Sequence, residues 1–358
     1  MKTIPLVLAG GKGERFWPLS RSSRPKQLLT LFGTKTMIEE TVGRVRSASG
    51  NSTPLVVTGR DCAAGIRKAL RGGGSYDCIV EPVGKNTAPA IALAAAWMEK
   101  RYGEAVMLVA SADHAIAPID KYAQAVRVAV AAARDTDSLV VFGIAPTRPE
   151  VGYGYIHLGR RIAGSLGAAC FQVKGFVEKP TLPVAKRYAA STTYLWNSGM
   201  FVWKTSVILR EFERSMPELH RLALRAARRG FTKSAIDAFY SECENQSIDY
   251  GIMEKASKIV AVRGSFFWDD IGSWEAMSRI HQPNARKTVA FGSGVFEAEC
   301  KNSIVYNASS LTVASIGLSD TVIVVTPDAV LAIARPLLPH VKKYLAQIKQ
   351  QKFSPKLF

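Results

Sequence analysis

Apolar positions along this chain fall into short continuous runs separated by stretches with helical spacing. The runs occupy 4–9, 54–58, 77–81, 105–110, 138–144, 170–177 and 258–263. Continuous apolar character, rather than strict alternation, is what strands buried on both faces require. Between the runs, helical spacing covers 36–48, 61–71, 87–101, 120–134, 182–190, 232–243 and 247–257, and Gly103 stands where the helix begun at 87 should stop. This alternation predicts an α/β fold, a doubly wound and mostly parallel sheet covered by helices on both faces. Segments 153–158 and 199–203 read as strands added to that sheet. A helix after Pro217 would bring Arg221, Arg225 and Arg228 onto one face.

Around Gln282 to Lys287 the pattern changes. From 289 to 334 the pieces become short and β-like (VAFG, VFEAE, SIVYN, LTVASIG, TVIVVT, VLAIA), which predicts a small β module. Pro336 then precedes an amphipathic helix reaching about Gln350. The expected division is a large domain over 1–282 and a small one over 283–358. A chain of 358 residues is long enough to bury a core of that size.

No apolar run reaches the length of a membrane helix; Ala90 to Met98 is among the longest. The N-terminus enters a strand directly, so the expectation is a cytoplasmic protein with neither secretory signal nor membrane partner. The five cysteines lie far apart with no C-x-x-C pair, and the histidines show no H-x-x-x-H spacing. Disulfide frameworks and zinc sites are thereby disfavoured, and any metal should be a hard cation held by carboxylates. The net charge of +18 raises the question of nucleic acid. The basic residues are spread along the chain, however, without a recognisable nucleic-acid module or interleaved aromatics. A positive surface that attracts polyanionic nucleotides fits better.

The chemistry concentrates in LAGGKGERFWPLSRSSRPKQLL, residues 8–29. A buried strand runs straight into Gly10, Gly11 and Gly13, where backbone N–H groups can converge on an anion. Two cations, Arg15 and Lys26, follow. The spacing is neither the dinucleotide fingerprint nor the P-loop. Its glycines, Trp17-Pro18 and Pro25-Lys26-Gln27 together resemble the signature of the sugar-1-phosphate nucleotidylyltransferases, in the wording of the mannose-1-phosphate guanylyltransferases.

That resemblance, strong over about residues 4–280, implies a Rossmann-like doubly wound mixed-sheet nucleotidyltransferase domain followed by a short left-handed β-helix. It implies Mg²⁺ as cofactor, GTP and mannose 1-phosphate as substrates, GDP-mannose and pyrophosphate as products, and a homodimer. The sugar phosphate is already largely dianionic at neutral pH, so the reaction needs no general base. It needs alignment of two polyanions and neutralisation of the leaving pyrophosphate. Arg15 and Lys26 would bind phosphates, with Leu8, Ala9, Gly10, Gly11, Gly13 and Ser111 around the nucleotide. Asp113, just beyond the strand 105–110, and Asp270, in Trp268-Asp269-Asp270-Ile271-Gly272, match the metal positions; the family pattern selects Asp270 over Asp269.

The base site falls on Glu81-Pro82-Val83-Gly84-Lys85-Asn86-Thr87-Ala88. A carboxylate suits the two donors on the guanine edge, so Glu81 or nearby backbone carbonyls would read the base, with Asn86, Thr87 and Ala88 opening the following helix. Gly154, Glu178, Lys179 and Asn197 spell a sugar-phosphate site in three pieces. Asp249 is either a ligand of the sugar or a helix N-terminal charge. The readings left beside this one are a different sugar 1-phosphate (a manno-heptose, for instance) or base, and a catalytically silent relative that binds GDP-mannose.

Overall fold

The computed structural model describes every residue except 12, 163–169, 352, 355 and 356. Among the described residues, nine strands form one sheet: β1 (Thr3–Ala9), β2 (Leu55–Gly59), β3 (Asp77–Glu81), β4 (Val106–Ser111), β6 (Leu139–Ile144), β7 (Tyr155–Ile162), β8 (Cys170–Val177), β9 (Tyr194–Lys204) and β10 (Ile259–Arg263). Their order across the sheet is β3-β2-β1-β4-β9-β6-β10-β8-β7. The first four are mutually parallel, but β9 enters antiparallel between β4 and β6, and β7 and β8 also pair antiparallel. The sheet is therefore mixed, and the parallel pattern expected from alternation holds in its first half and again between β6 and β10. Two short strands, β5 (Ala115–Ala117) and β11 (Phe267–Asp269), form a separate antiparallel pair.

Helices cover both faces. On one lie α1 (Met37–Ala48), α2 (Arg60–Ala69) and α4 (Ile119–Thr136); on the other α3 (Thr87–Tyr102), α6 (Thr205–Ser215), α7 (Pro217–Arg228) and α8 (Lys233–Glu242). The remaining helix of this half, α5 (Leu182–Ala189), buries Ala185 in the first layer. α1 starts where Thr36 and Glu39 cap each other, the Thr36 N–H donating to Glu39 Oε2 at 2.8 Å. α3 is buried nearly all round, so its Ala-rich sequence is what lets it sit tightly between the sheet and α6 and α7.

One expected helix is largely absent. Over 247–257 the backbone forms only a π-helical turn, Asp249–Met253. Tertiary contacts dictate this backbone: Thr87 Oγ1 accepts the Ile248 N–H at 2.8 Å, Asn197 Nδ2 donates to Asp249 at 2.9 Å, and Met216 packs on Gly251. α6, conversely, adds a helix to those expected from spacing.

After the short helix α9 (Met277–Ile280), the C-terminal part coils. Strands β12 (Val289–Gly292), β14 (Ile304–Asn307) and β16 (Thr321–Val325) stack in parallel, as do β13 (Val295–Ala298) and β15 (Val313–Ile316); β17 (Val330–Ala334) closes the first stack antiparallel. The terminal helix α10 (Val341–Gln350) then packs back on the segment that follows the glycine loop. A third apolar cluster joins the two parts, with Phe16, Trp17 and Leu29 meeting Trp274, Met277, Val324 and Leu345. Trp17 Nε1 donates to the Leu357 carbonyl at 2.8 Å, which ties the chain end to the segment after the glycine loop.

Candidate active site

β1, β3 and β4 release their chains at the same edge of the sheet, and a cavity of about 440 Å³ opens there. Ligands collect at the carboxyl ends of strands in such sheets, and the volume suits a small molecule. Leu8, Ala9, Gly10 and Gly11 line it from β1, Glu81 from β3 and Ser111 from β4. β9 and the π-helical turn supply the far end, with Asn197 and Asp249.

Three charged residues, Lys26, Asp113 and Asp270, converge at the cavity wall. Lys26 is 5% exposed, and its Nζ donates to Asp113 Oδ2 at 2.9 Å and to the Asp270 carbonyl at 2.6 Å. Asp113 Oδ1 accepts from Ser111 Oγ at 2.6 Å. Burial works against the charge of Asp113, but the Lys26 ammonium, His114 and the Ser111 hydroxyl hold its carboxyl well below the usual carboxylate range. Asp270 Oδ1 accepts from the Tyr153 hydroxyl at 2.7 Å and from the Gly272 N–H at 3.0 Å. Burial and the Asp270 charge push the Tyr153 hydroxyl far above its ordinary value, so it remains a donor. Gly13 has φ +63°, and a Cβ there would lie 2.3 Å from Lys26 Cβ, so only glycine lets the loop close over the lysine.

His114 belongs to the scaffold. Its Nδ1 accepts from the Trp268 indole at 3.1 Å, and burial lowers its pKa despite Asp113. Asp269 is likewise structural: 2% exposed, it is gripped by Arg279 through contacts of 2.5 and 3.0 Å. Its neighbour Asp270 is the aspartate that faces the cavity.

The far end is built from Gly154, Glu178, Asn197 and Asp249. A Cβ on Gly154 would stand 2.4 Å from Glu178 Oε2, so any larger residue would push the Glu178 carboxylate from its place. Asn197 Nδ2 donates to Asp249 Oδ1 at 2.9 Å, while Lys179 Nζ pairs with Glu178 Oε1 at 2.7 Å. Burial and the nearby Glu178 carboxylate push the Asp249 carboxyl up to about 7.

Among the described residues, no group of three or more His, Cys, Asp or Glu could hold a metal ion. Of the carboxyl groups that line the cavity, those of Asp113 and Asp270 belong to the two residues that Lys26 Nζ touches. That donor set fits a hard divalent cation that takes its remaining ligands from substrate phosphates and water.

Comparison with known proteins shows the family. The nucleotidyl transferase family matches residues 4–287. Mannose-1-phosphate guanylyltransferase ManC of Salmonella typhimurium is 40% identical over 358 residues, covering 97% of this chain and 73% of that protein. A mannose-1-phosphate guanylyltransferase of Escherichia coli K12 is 39% identical, covering 97% of this chain and 74% of the relative. The chain belongs to the nucleotidyl transferase family. In structure it is similar to a protein described as a mannose-1-phosphate geranyltransferase from Thermus thermophilus, with a TM-score of 0.87, 34% identity, and coverage of 98% of this chain and 100% of that one. The resemblance drawn from residues 8–29 is thus confirmed, and the protein is a nucleotidyltransferase.

In this nucleotidyltransferase most of the expected residues, Asn86 and Thr87 included, line the cavity. Five do not. Lys26 lies in the wall and only its ammonium reaches the Asp113 carboxylate and the Asp270 carbonyl, with Gly13 packed behind it. Arg15 is exposed at the rim, donating to the Gly272 carbonyl at 3.0 Å. Ala88 is fully buried and its N–H is taken by the Gln246 carbonyl at 3.1 Å, so it has no free group for a nucleotide. Lys179 points to Glu178 from outside the cavity lining. Sequence reasoning missed Tyr153, Trp268 and Tyr240 as parts of the site. Tyr153 sits inside the Gly152–Gly154 piece and could have been found there; Tyr240 meets Glu81 across 159 residues, with no local signal.

Proposed function

We propose that this enzyme transfers GMP from GTP to mannose 1-phosphate, releasing pyrophosphate and GDP-mannose. The observation that carries the reading is the Lys26 ammonium bonded to the Asp113 carboxylate and the Asp270 carbonyl, at a cavity that Glu81, Asn197 and Asp249 also line. In this reading the α-phosphorus of GTP sits at that junction. An oxygen of the sugar phosphate forms the new P–O bond, the bond from the α-phosphorus to the bridging oxygen of pyrophosphate breaks, and the electron pair leaves with pyrophosphate. No proton moves, so His114 can stay neutral and structural.

Lys26 and Arg15 offset charge on the phosphates, and the Gly11 and Gly13 amides direct the triphosphate. Glu178, Asn197 and Asp249 orient sugar hydroxyls, while Lys179 draws the sugar phosphate inward. Asp113 and Asp270 would hold Mg²⁺, which when bound supplies positive charge to the reacting phosphates. Glu81 accepts from the guanine N1–H and 2-amino group. The same reading divides the chain at 282, makes the C-terminal coil a left-handed β-helix, and takes the protein as a cytoplasmic homodimer.

Pyrophosphate release measured with four nucleoside triphosphates crossed against several sugar 1-phosphates tests the proposal. GTP with mannose 1-phosphate should give the highest kcat/KM. Higher values with a uridine or thymidine nucleotide, or with another sugar phosphate, would overturn it.

A further inference from the structure

The base end of the cavity rests on a buried pair that the transfer chemistry does not use. Glu81 is 4% exposed, and its Oε1 accepts a 2.7 Å hydrogen bond from the Tyr240 hydroxyl. Tyr240 comes from α8 and is fully buried on the helical side of the sheet. The second oxygen of Glu81, Oε2, lies beside Gly10 at the lining of the cavity. One oxygen is thus engaged from behind, and the other faces the space left for a ligand.

We propose that Tyr240 is a positioning residue for base selection: by donating to Glu81 Oε1 it aims Oε2 at the N1–H and 2-amino edge of guanine. The inference rests on the reading of Glu81 as the base reader and adds the residue that makes a buried carboxylate usable there. Burial pushes the Glu81 carboxyl up, and the Tyr240 hydrogen bond opposes that shift. Burial and the Glu81 carboxylate in turn push the Tyr240 hydroxyl well above its ordinary value, so it acts as donor throughout the working range. The other titratable groups beside the pair are Cys243, whose thiol burial raises to about 11, and Lys85, whose ammonium donates to the Cys243 carbonyl. Neither replaces the phenol. Without it the carboxyl would be protonated at higher pH and would present a proton where guanine already presents two.

The test compares full-length wild type, Tyr240→Phe and Glu81→Gln by pyrophosphate release with GTP and with ITP, which lacks the 2-amino group, from about pH 5 to about pH 9. Melting temperature and the KM for mannose 1-phosphate are followed alongside. Tyr240→Phe should lower kcat/KM for GTP about tenfold at neutral pH, the scale of a hydrogen bond to a charged group. It should also move the acid limb of the profile to higher pH and narrow the preference for GTP over ITP, with the KM for mannose 1-phosphate unchanged. A residue that only packs the core would lower the melting temperature and leave the acid limb and the GTP to ITP ratio in place, and that result would overturn the role of Tyr240. If Glu81→Gln loses the GTP preference while Tyr240→Phe keeps both the preference and the limb, the base reader stands and its positioning by Tyr240 falls. If Glu81→Gln itself keeps the preference, the base reading falls and this proposal with it.

Discussion

In the proposed reaction single side chains carry the chemistry, and Lys26, Asp113 and Asp270 are each held by more than one partner. Lys26 Nζ bridges an aspartate carboxylate and a backbone carbonyl from two distant segments, so it is a fixed charge rather than a mobile one. Removing such a preorganised group costs about 10²–10³ in kcat in comparable sites. Lys26→Ala and Asp270→Asn should each do so in a pyrophosphate-release assay, and near-normal turnover in either would remove that residue from the mechanism. Asp249 makes a different, thermodynamic prediction. Its carboxyl titrates at about 7 in the folded protein, raised first by burial and then by Glu178. In the unfolded chain the ordinary value is about 3.9. Between those values the folded state holds a proton the unfolded state has lost, so stability should fall as pH rises from about 4 to about 7 and level off above. Each unit of difference is worth at most about 1.4 kcal/mol. Asp249→Asn should flatten this part of the Tm-against-pH curve. If wild type and variant keep parallel curves, the carboxyl is not held protonated.

At the level of elements, the loops matter more than the strands they follow. The loop after β1 closes over Lys26 only because Gly13 adopts φ +63° with no Cβ. Gly13→Ala forces either the loop or Lys26 to move. The expected outcome is a fall in kcat of at least about tenfold, since a misplaced catalytic charge loses much of its effect. The far-ultraviolet circular dichroism spectrum should stay unchanged. A fully active Gly13→Ala enzyme would mean that the glycine serves the turn alone. The antiparallel strand β9 is the second such element. It crosses the middle of the sheet, and its Asn197 meets Asp249 of the π-helical turn, so it aligns the far end of the cavity against the end formed by β1 and β3.

In the molecule as a whole, the C-terminal coil is joined to the catalytic half by more than a linker. Arg335 donates to both oxygens of Glu275 at 2.9 and 2.6 Å and also reaches Asn302 and Ser278. Beneath this clamp the third apolar cluster holds Phe16 and Trp17, which follow the glycine loop directly. Cutting the chain after 282 would expose that cluster and loosen the segment bearing Lys26. Burying one large apolar side chain contributes about 1.5–3 kcal/mol, so the loss of several exceeds the margin of an ordinary domain. The truncated protein should be aggregation-prone or inactive, as measured by size-exclusion chromatography and pyrophosphate release. A monodisperse, fully active 1–282 fragment would show that the coil is dispensable to the site.

The sequence by itself determined whatever depends on neighbours along the chain. Continuous apolar runs located the buried strands near 4–9, 105–110 and 138–144, because a strand covered on both faces has no polar side to show; the strand at 77–81 lies at the sheet edge and alternates buried and exposed positions instead. The glycines and cations of residues 8–29 marked a polyphosphate site for a similarly local reason, since phosphates need amides and cations close together, and their resemblance to a known signature named the reaction class. The tertiary structure decided what depends on distant partners. It inserted β9 antiparallel, kept 249–253 as a π-helical turn, gave Asp269 to Arg279, consumed the Ala88 N–H, and set Tyr240 behind Glu81. Those outcomes follow from burial and hydrogen-bond partners supplied by remote segments, and local spacing holds no record of them.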